Sequence, residues 1–282
     1  MTMADAKQPQ LEDKSKPEVE DELAGSEAPL LEHLIELRKR LIYSAIAIVV
    51  LMMGCFLISG HIFDILLEPY RGVYRADPTH HIELIYTAPQ ELFFTQLNLA
   101  FFGAIFIGFP FLATQVYLFV APGLYKHERK ALVPYLIATP VFFFLGAMMV
   151  YFTVLPMALH FFASMETSEI KLTPRVSEYL AFAMTLILAF GVCFQLPVVL
   201  TLLAQIDLVN VEMLKKGRRY AVVGILIVAA LITPPDPISQ IGLALPMYAL
   251  YELGILSVRI VQKRRAAALA AQDADISGSS SE

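Results

Sequence analysis

Residues Leu30–Val50 read LLEHLIELRKRLIYSAIAIVV, with two glutamates and three basic side chains set directly against an apolar run. From Leu41 the run continues to Ser59, and as a helix rising 1.5 Å per residue it is about 28 Å long, close to the thickness of a hydrocarbon core. Lys and Arg crowded at the threshold of such a run hold that end on the cytoplasmic side of a bilayer. The glutamates need a separate reason, because holding a helix end inside takes only the cations. Glu32 and Glu36 stand four residues apart and share one helical face. Glu36 and Arg40 are again four apart, the spacing at which an acid and a base on one helix pair.

Working outward, the same logic applies to the rest of the chain. The runs Leu92–Tyr117, Leu132–Met157 and Tyr179–Ala204 are each long enough to cross a membrane. Two further runs, Tyr220–Thr233 and Ile238–Tyr251, have 14 residues each and are separated by Pro234-Pro235-Asp236-Pro237. At about 21 Å of helix apiece they predict a short hairpin, which either thins the bilayer around it or is lengthened by interfacial residues. The expected fold is therefore all-α: a polytopic membrane protein of six transmembrane helices, the last two short. Composition agrees, since 57% of the 282 residues are hydrophobic, 17% are charged and mean hydropathy is +0.63, against about a quarter charged in soluble domains.

With both termini in the cytoplasm, 17 of the 21 Lys and Arg fall on the inner side, leaving Arg71, Arg75, Lys171 and Arg175 outside. That bias fixes the orientation. Met1–Pro29, with eight acids and three lysines, is expected to be a disordered acidic tail without the character of a secretory signal or transit peptide. The membrane domain then occupies residues 30–259, and residues 260–282 form a cytoplasmic tail.

Pro110, Pro140, Pro156, Pro197 and Pro246 lie in or near the ends of apolar runs, where each removes a backbone donor and crowds the preceding turn. Several helices are thus expected to be kinked. Together they would form a concave wall, or else a set of unrelated local bends. In the first outside loop, HIFDILLEPYRGVY suggests an amphipathic interfacial helix ended by Pro69.

Chemistry is sparse. There is no ordered Ser, His and Asp set with supporting glycines, no phosphate-binding loop, no HExxH and no Cys/His metal spacing, so neither an enzyme nor a cofactor or metal site is expected. Cys55 and Cys193 sit in apolar runs as small hydrophobes. Gln195 in the fourth span and Gln240 at the start of the sixth each need a polar partner in hydrocarbon, which a neighbouring helix, another subunit or a wet cavity would supply. In LFVAPGLYKHERK, Pro122-Gly123 breaks the helix, and Phe119 and Tyr125 supply interfacial aromatics. Glu128 stands among Lys126, His127, Arg129 and Lys130, where it either pairs with those neighbours or accepts an external guanidinium, which offers a carboxylate a bidentate fork.

HLIELRKRL (His33–Leu41), APGLYKHERK (Ala121–Lys130), AFGVCFQLPV (Ala189–Val198) and LITPPDPISQ (Leu231–Gln240), in this order and spacing, resemble the TatC family of the twin-arginine protein translocase. The resemblance covers roughly residues 32–259. It implies recognition of the paired arginines of a signal peptide at the cytoplasmic face of a bacterial inner membrane. It also implies self-association and assembly with the single-span partners TatA and TatB, so that folded cargo crosses on the proton-motive force. No nucleic acid is implied. Carried over residue by residue, the signal-binding surface comprises Glu36, Arg38, Arg40, Phe119, Pro122 and Glu128. Pro69, Tyr151 and Asp236 match positions associated with activity through shape or assembly. Where the family commonly has Glu in the fourth span this chain has Gln195, which leaves hydrogen bonding to partners but not a charged role. A small-solute transporter would require inverted repeats and midplane charges that the sequence lacks, and a passive scaffold would show no preference for paired arginines.

Overall fold

A computed structural model of the chain describes residues 16–75, 84–120, 133–167, 173–232 and 237–279, with side chains within 33–75, 84–119, 134–167, 173–232 and 240–267. The described residues form helices joined by turns and loops, with one isolated bridge between Ile85 and Arg175. The all-α, polytopic expectation holds. In order, the helices are α1 (Lys16–Leu57), α2 (Ser59–Tyr74), α3 (Glu91–Val120), α4 (Val133–Met149), α5 (Leu155–Ala163), α6 (Val176–Cys193), α7 (Leu196–Gln205), α8 (Val211–Ile232) and α9 (Pro237–Ser279).

Among the described residues, five stretches are long and apolar enough to cross a membrane: His33–Leu57, Glu91–Phe119, Pro134–Ala163, Val176–Gln205 and Gln240–Ala267. The sixth expected span lies on α8, which falls outside that set because Lys215, Lys216, Arg218 and Arg219 occupy its first turns. Any 18-residue stretch of its 22 residues contains all four. The last two helices are also longer than their apolar runs, at 22 and 43 residues, because charged residues continue each helix beyond the hydrocarbon-compatible part. α8 and α9 run antiparallel, joined by the Tyr251 hydroxyl donating to the Leu214 carbonyl at 2.8 Å and the Gln240 amide donating to the Leu226 carbonyl at 3.2 Å.

Proline shapes three spans in different ways. In α3 and α4, Pro110 and Pro140 sit inside continuous helices. In the third span, a π-helical turn at Val150–Val154 joins α4 to α5 and includes Phe152, whose carbonyl would face the ring of Pro156 four residues on. The wider turn accommodates that clash. In the fourth span the helix stops at Cys193, four residues before Pro197, and resumes as α7 after a turn at Phe194–Gln195.

The core centres on α6, whose Leu180, Ala183, Leu186, Ile187 and Phe190 are buried against its neighbours. Small residues set the α4–α6 approach. A Cβ at Gly146 would lie 2.8 Å from the Phe190 carbonyl oxygen, and one at Gly191 would lie 2.5 Å from the Phe143 ring. Phe143 cannot retreat, being fully buried and stacked on Phe109 with centroids 3.7 Å apart. Such close approach is how membrane helices gain packing contacts when lipid is as apolar as they are. α1 stands apart: 6% of its most apolar stretch is buried, against 39–44% for the other four. Packed mainly on α3, it leaves Ile46, Val50, Met53 and Leu57 facing outward, the surface expected to meet lipid.

Candidate functional site at the basic ends of the first two spans

α1 and α3 run antiparallel, so the basic cluster of α1 lies beside the C-terminal turns of α3. Arg40 is fixed from both helices. One terminal nitrogen pairs with Glu36 Oε1 at 3.2 Å on its own helix, and the other donates to Gln115 Oε1 of α3 at 3.5 Å. Glu36 and Arg40 are both about one-quarter exposed, and Gln115 is buried. Arg40 Nε is buried with no acceptor among the described residues. One turn further out, His33 stacks on Phe119 with ring centroids 4.3 Å apart and planes at 24°. The structure thus brings together Glu36, Arg40 and Phe119 of the expected set. Arg38, about 200° round the helix from Arg40, is exposed elsewhere on α1. Pro122 and Glu128, in the segment that follows Phe119, lie outside the described residues, as does Asp236 between α8 and α9.

Sequence reasoning missed Gln115 and the stacking role of His33. The available signal was a lone amide near the end of an otherwise apolar run, but its partner depends on how α1 and α3 register. The described part of the site carries one carboxylate against Arg38, Lys39 and Arg40, a net positive balance. What it can do is present a carboxylate, a buried amide and two stacked rings at one membrane edge.

At the opposite end of the spans a second group of expected residues meets. Pro69 does not end α2, which runs on to Tyr74. Lacking an N–H, Pro69 leaves the Ile65 carbonyl without its helical donor. The Tyr151 hydroxyl, from the π-helical turn, donates to that carbonyl at 2.7 Å. Beside it the Tyr179 hydroxyl of α6 donates to the Leu66 carbonyl at 2.6 Å. These two bonds hold α2 across the ends of the third and fourth spans. Tyr74 adds a third, donating to Glu166 at 2.7 Å. Burial, then the Glu166 carboxylate, push the Tyr74 hydroxyl well above its usual pKa, and the same causes push Tyr70 up to about 12. Both phenols remain protonated donors at neutral pH. The loops on this side are tied together too: Val176 N–H donates to the Ile85 carbonyl at 3.0 Å, and the Ser177 hydroxyl to Glu91 at 2.5 Å.

The glutamines bond to backbone. Gln195 Nε2 donates to the Thr139 carbonyl of α4 at 3.0 Å and to the Gly191 carbonyl at 3.3 Å, while the Gln195 N–H turns to Val192. Its side chain therefore bridges helices and repairs the ladder where α6 breaks. Gln195 Oε1 is buried without a donor among the described residues.

Comparison with known proteins bears on both groups. A family model described as Sec-independent protein translocase protein (TatC) matches residues 32–246. The Sec-independent protein translocase protein TatC of Magnetococcus marinus is 42% identical over 247 residues, covering 88% of this chain and 90% of that protein. The one from Escherichia coli K12 is 37% identical over 231 residues, covering 82% and 88%. A crystal structure of the twin arginine translocase receptor TatC superposes with a TM-score of 0.72 at 33% identity, covering 82% of this chain and 99% of that one. The match takes in both the α1–α3 edge and the α2–Tyr151 junction, and the chain belongs to the TatC family of Sec-independent protein translocase proteins.

Proposed function

We propose that this chain is the receptor subunit of a twin-arginine translocase, binding paired-arginine signal peptides at the cytoplasmic face of a bacterial inner membrane. TatA and TatB then assemble on it, and folded cargo crosses on the proton-motive force. The observation that supports this most is the α1–α3 edge, where Glu36, Arg40 and Gln115 lie one turn from the stacked His33 and Phe119. Half out of water, a carboxylate binds a guanidinium more strongly than it would in bulk solvent, and arginine engages it with two parallel bonds where lysine makes one.

One carboxylate is not enough for two arginines. Glu128, nine residues beyond Phe119, is within reach along the chain, since nine extended residues span about 30 Å. We assign it the first incoming arginine. Glu36 takes the second, with Arg40 retained by Gln115 while its partner is shared. We assign Pro122 to the same signal-binding surface, and Arg38, exposed on another face of α1, to its flank as a positive guard that meets the peptide beside its arginines. The apolar part of the signal then lies along the proline-bearing spans. Pro69 and Tyr151 hold α2 across the far end of those spans, Asp236 serves contacts with TatA and TatB, and Gln195 and Gln240, whose amides bond to backbone within the chain, hold in place the helices those partners meet. The chain works as a binding and assembly device and performs no bond-making chemistry.

The test is export of a folded reporter in cells from which this gene is removed and then restored. With the gene restored, an Arg-Arg signal is expected to export the reporter and a Lys-Lys signal to fail. Glu128→Lys should abolish Arg-Arg export while the protein still accumulates in the membrane. Equal export with both signals, or full export through Glu128→Lys, would remove the assignment.

A further inference from the structure

The outward face of the α1–α3 pair carries a groove of about 620 Å³. Its walls are Tyr43, Ile46 and Val50 of α1 and Ile107 and Phe111 of α3, over a floor at Gly108. A Cβ at Gly108 would fall 2.8 Å from Leu51 Cδ1, so the absence of a side chain there leaves the floor low. From Tyr43 to Val50 the groove runs about 10 Å along the helix, against about 15 Å for one leaflet of hydrocarbon.

Its mouth is charged. Lys39 Nζ sits 5.9 Å from the centre of the Tyr43 ring, at the end of the groove nearest the membrane edge. Whereas Arg40 is engaged by Glu36 and Gln115, no carboxylate among the described residues pairs with Lys39. An unpaired ammonium above an apolar slot that opens sideways into lipid matches an amphiphile with an anionic head and a hydrocarbon tail. We infer that this groove is a binding site for an anionic phospholipid, its phosphate-bearing headgroup on Lys39 and one acyl chain between Tyr43 and Val50. The inference needs only that the chain spans a bilayer, and it stands or falls apart from signal recognition.

Charge selects the lipid and shape holds it. A cation near the membrane surface favours an anionic over a zwitterionic lipid by about five-fold, and the slot fixes where the tail lies. A bound headgroup would also lower the positive potential beside Glu36, so the site would tune the docking edge without forming part of it.

The test uses the full-length protein in phosphatidylcholine vesicles doped with trace lipid carrying a photoreactive group in one acyl chain. The probe headgroup is either phosphatidylglycerol or phosphatidylcholine. Adducts are mapped by peptide mass spectrometry. The phosphatidylglycerol probe is expected to label residues 43–51 and 107–111 about five-fold more than the phosphatidylcholine probe. Lys39→Gln should bring the two probes to parity while leaving labelling by phosphatidylcholine unchanged. Ala47→Phe, which fills the slot, should move adducts from both probes elsewhere on the surface. Because that larger change could disturb α1 packing, Lys39→Gln, an exposed substitution, decides independently. Equal labelling by both probes in the unaltered protein, a persistent preference in Lys39→Gln, or adducts that avoid residues 43–51 and 107–111 would each overturn the inference.

Discussion

The Ile65 carbonyl loses its helical donor to Pro69, and the Tyr151 hydroxyl, 86 residues along the chain, supplies a replacement at 2.7 Å. Proline and tyrosine are thus two halves of one arrangement, and their effects should couple. Tyr151→Phe is expected to lower stability by about 1 kcal/mol, the order of an interhelical hydrogen bond in a membrane protein. In a Pro69→Ala background the restored N–H at position 69 satisfies Ile65, so the same substitution should cost markedly less. Thermal unfolding of the four proteins in one detergent measures this, and equal losses in both backgrounds would show that Tyr151 acts by some other contact. At the basic edge, Gln115→Leu removes the acceptor that links Arg40 to α3 and should cost about 1 kcal/mol. Gln115→Glu, which adds a second carboxylate beside Arg40, should recover the loss. A Gln115→Leu protein as stable as the original in the same melts would count against that link.

Among the elements, the α4–α6 contact is where a single atom should matter most. A Cβ at Gly191 lies 2.5 Å from a Phe143 ring that is stacked on Phe109 and has no room to move. Gly191→Ala is therefore expected to destabilise by about 1–3 kcal/mol, as overpacking does. Gly224, with nothing near its absent side chain, should accept alanine without loss. If thermal unfolding ranks the two the other way, the packing described here is wrong. Elements were also where the sequence was least legible. The spans could be read because hydrophobic runs need no partner to declare themselves, and the Glu36–Arg40 pair could be read because a spacing of four on a helix fixes it. Whether Pro69 ends a helix could not, since that depends on a hydroxyl from another span. Gln115 was invisible as the partner of Arg40 because antiparallel register is a property of two helices together. α8 sits between these cases: its apolar run was evident, but its four cations fall within the helix instead of before it.

Seen as a whole, the chain sets most of its described cations at one end of the spans. Arg40 lies beside the C-terminal turns of α3, and Arg265 in the C-terminal half of α9 pairs with Asp207 after α7 at 2.6 Å. Opposite lie α2 and the joined loops around Ile85, Glu91 and Ser177. A membrane-impermeant thiol reagent added to intact cells should label Ser164→Cys and leave Lys263→Cys unmodified, in a background where Cys55 and Cys193 are replaced by serine. The reverse pattern would invert the orientation. The central claim is more specific than orientation: the α1–α3 edge, completed by Glu128, distinguishes paired arginines from paired lysines. Its most direct measurement is photocrosslinking from a reactive residue placed at Phe119 to a radiolabelled signal peptide, in inverted membrane vesicles, with Arg-Arg or Lys-Lys and with or without Glu128→Lys. Strong crosslinking only for Arg-Arg against intact Glu128 is the predicted result. Crosslinking of equal strength in all four combinations would contradict the account.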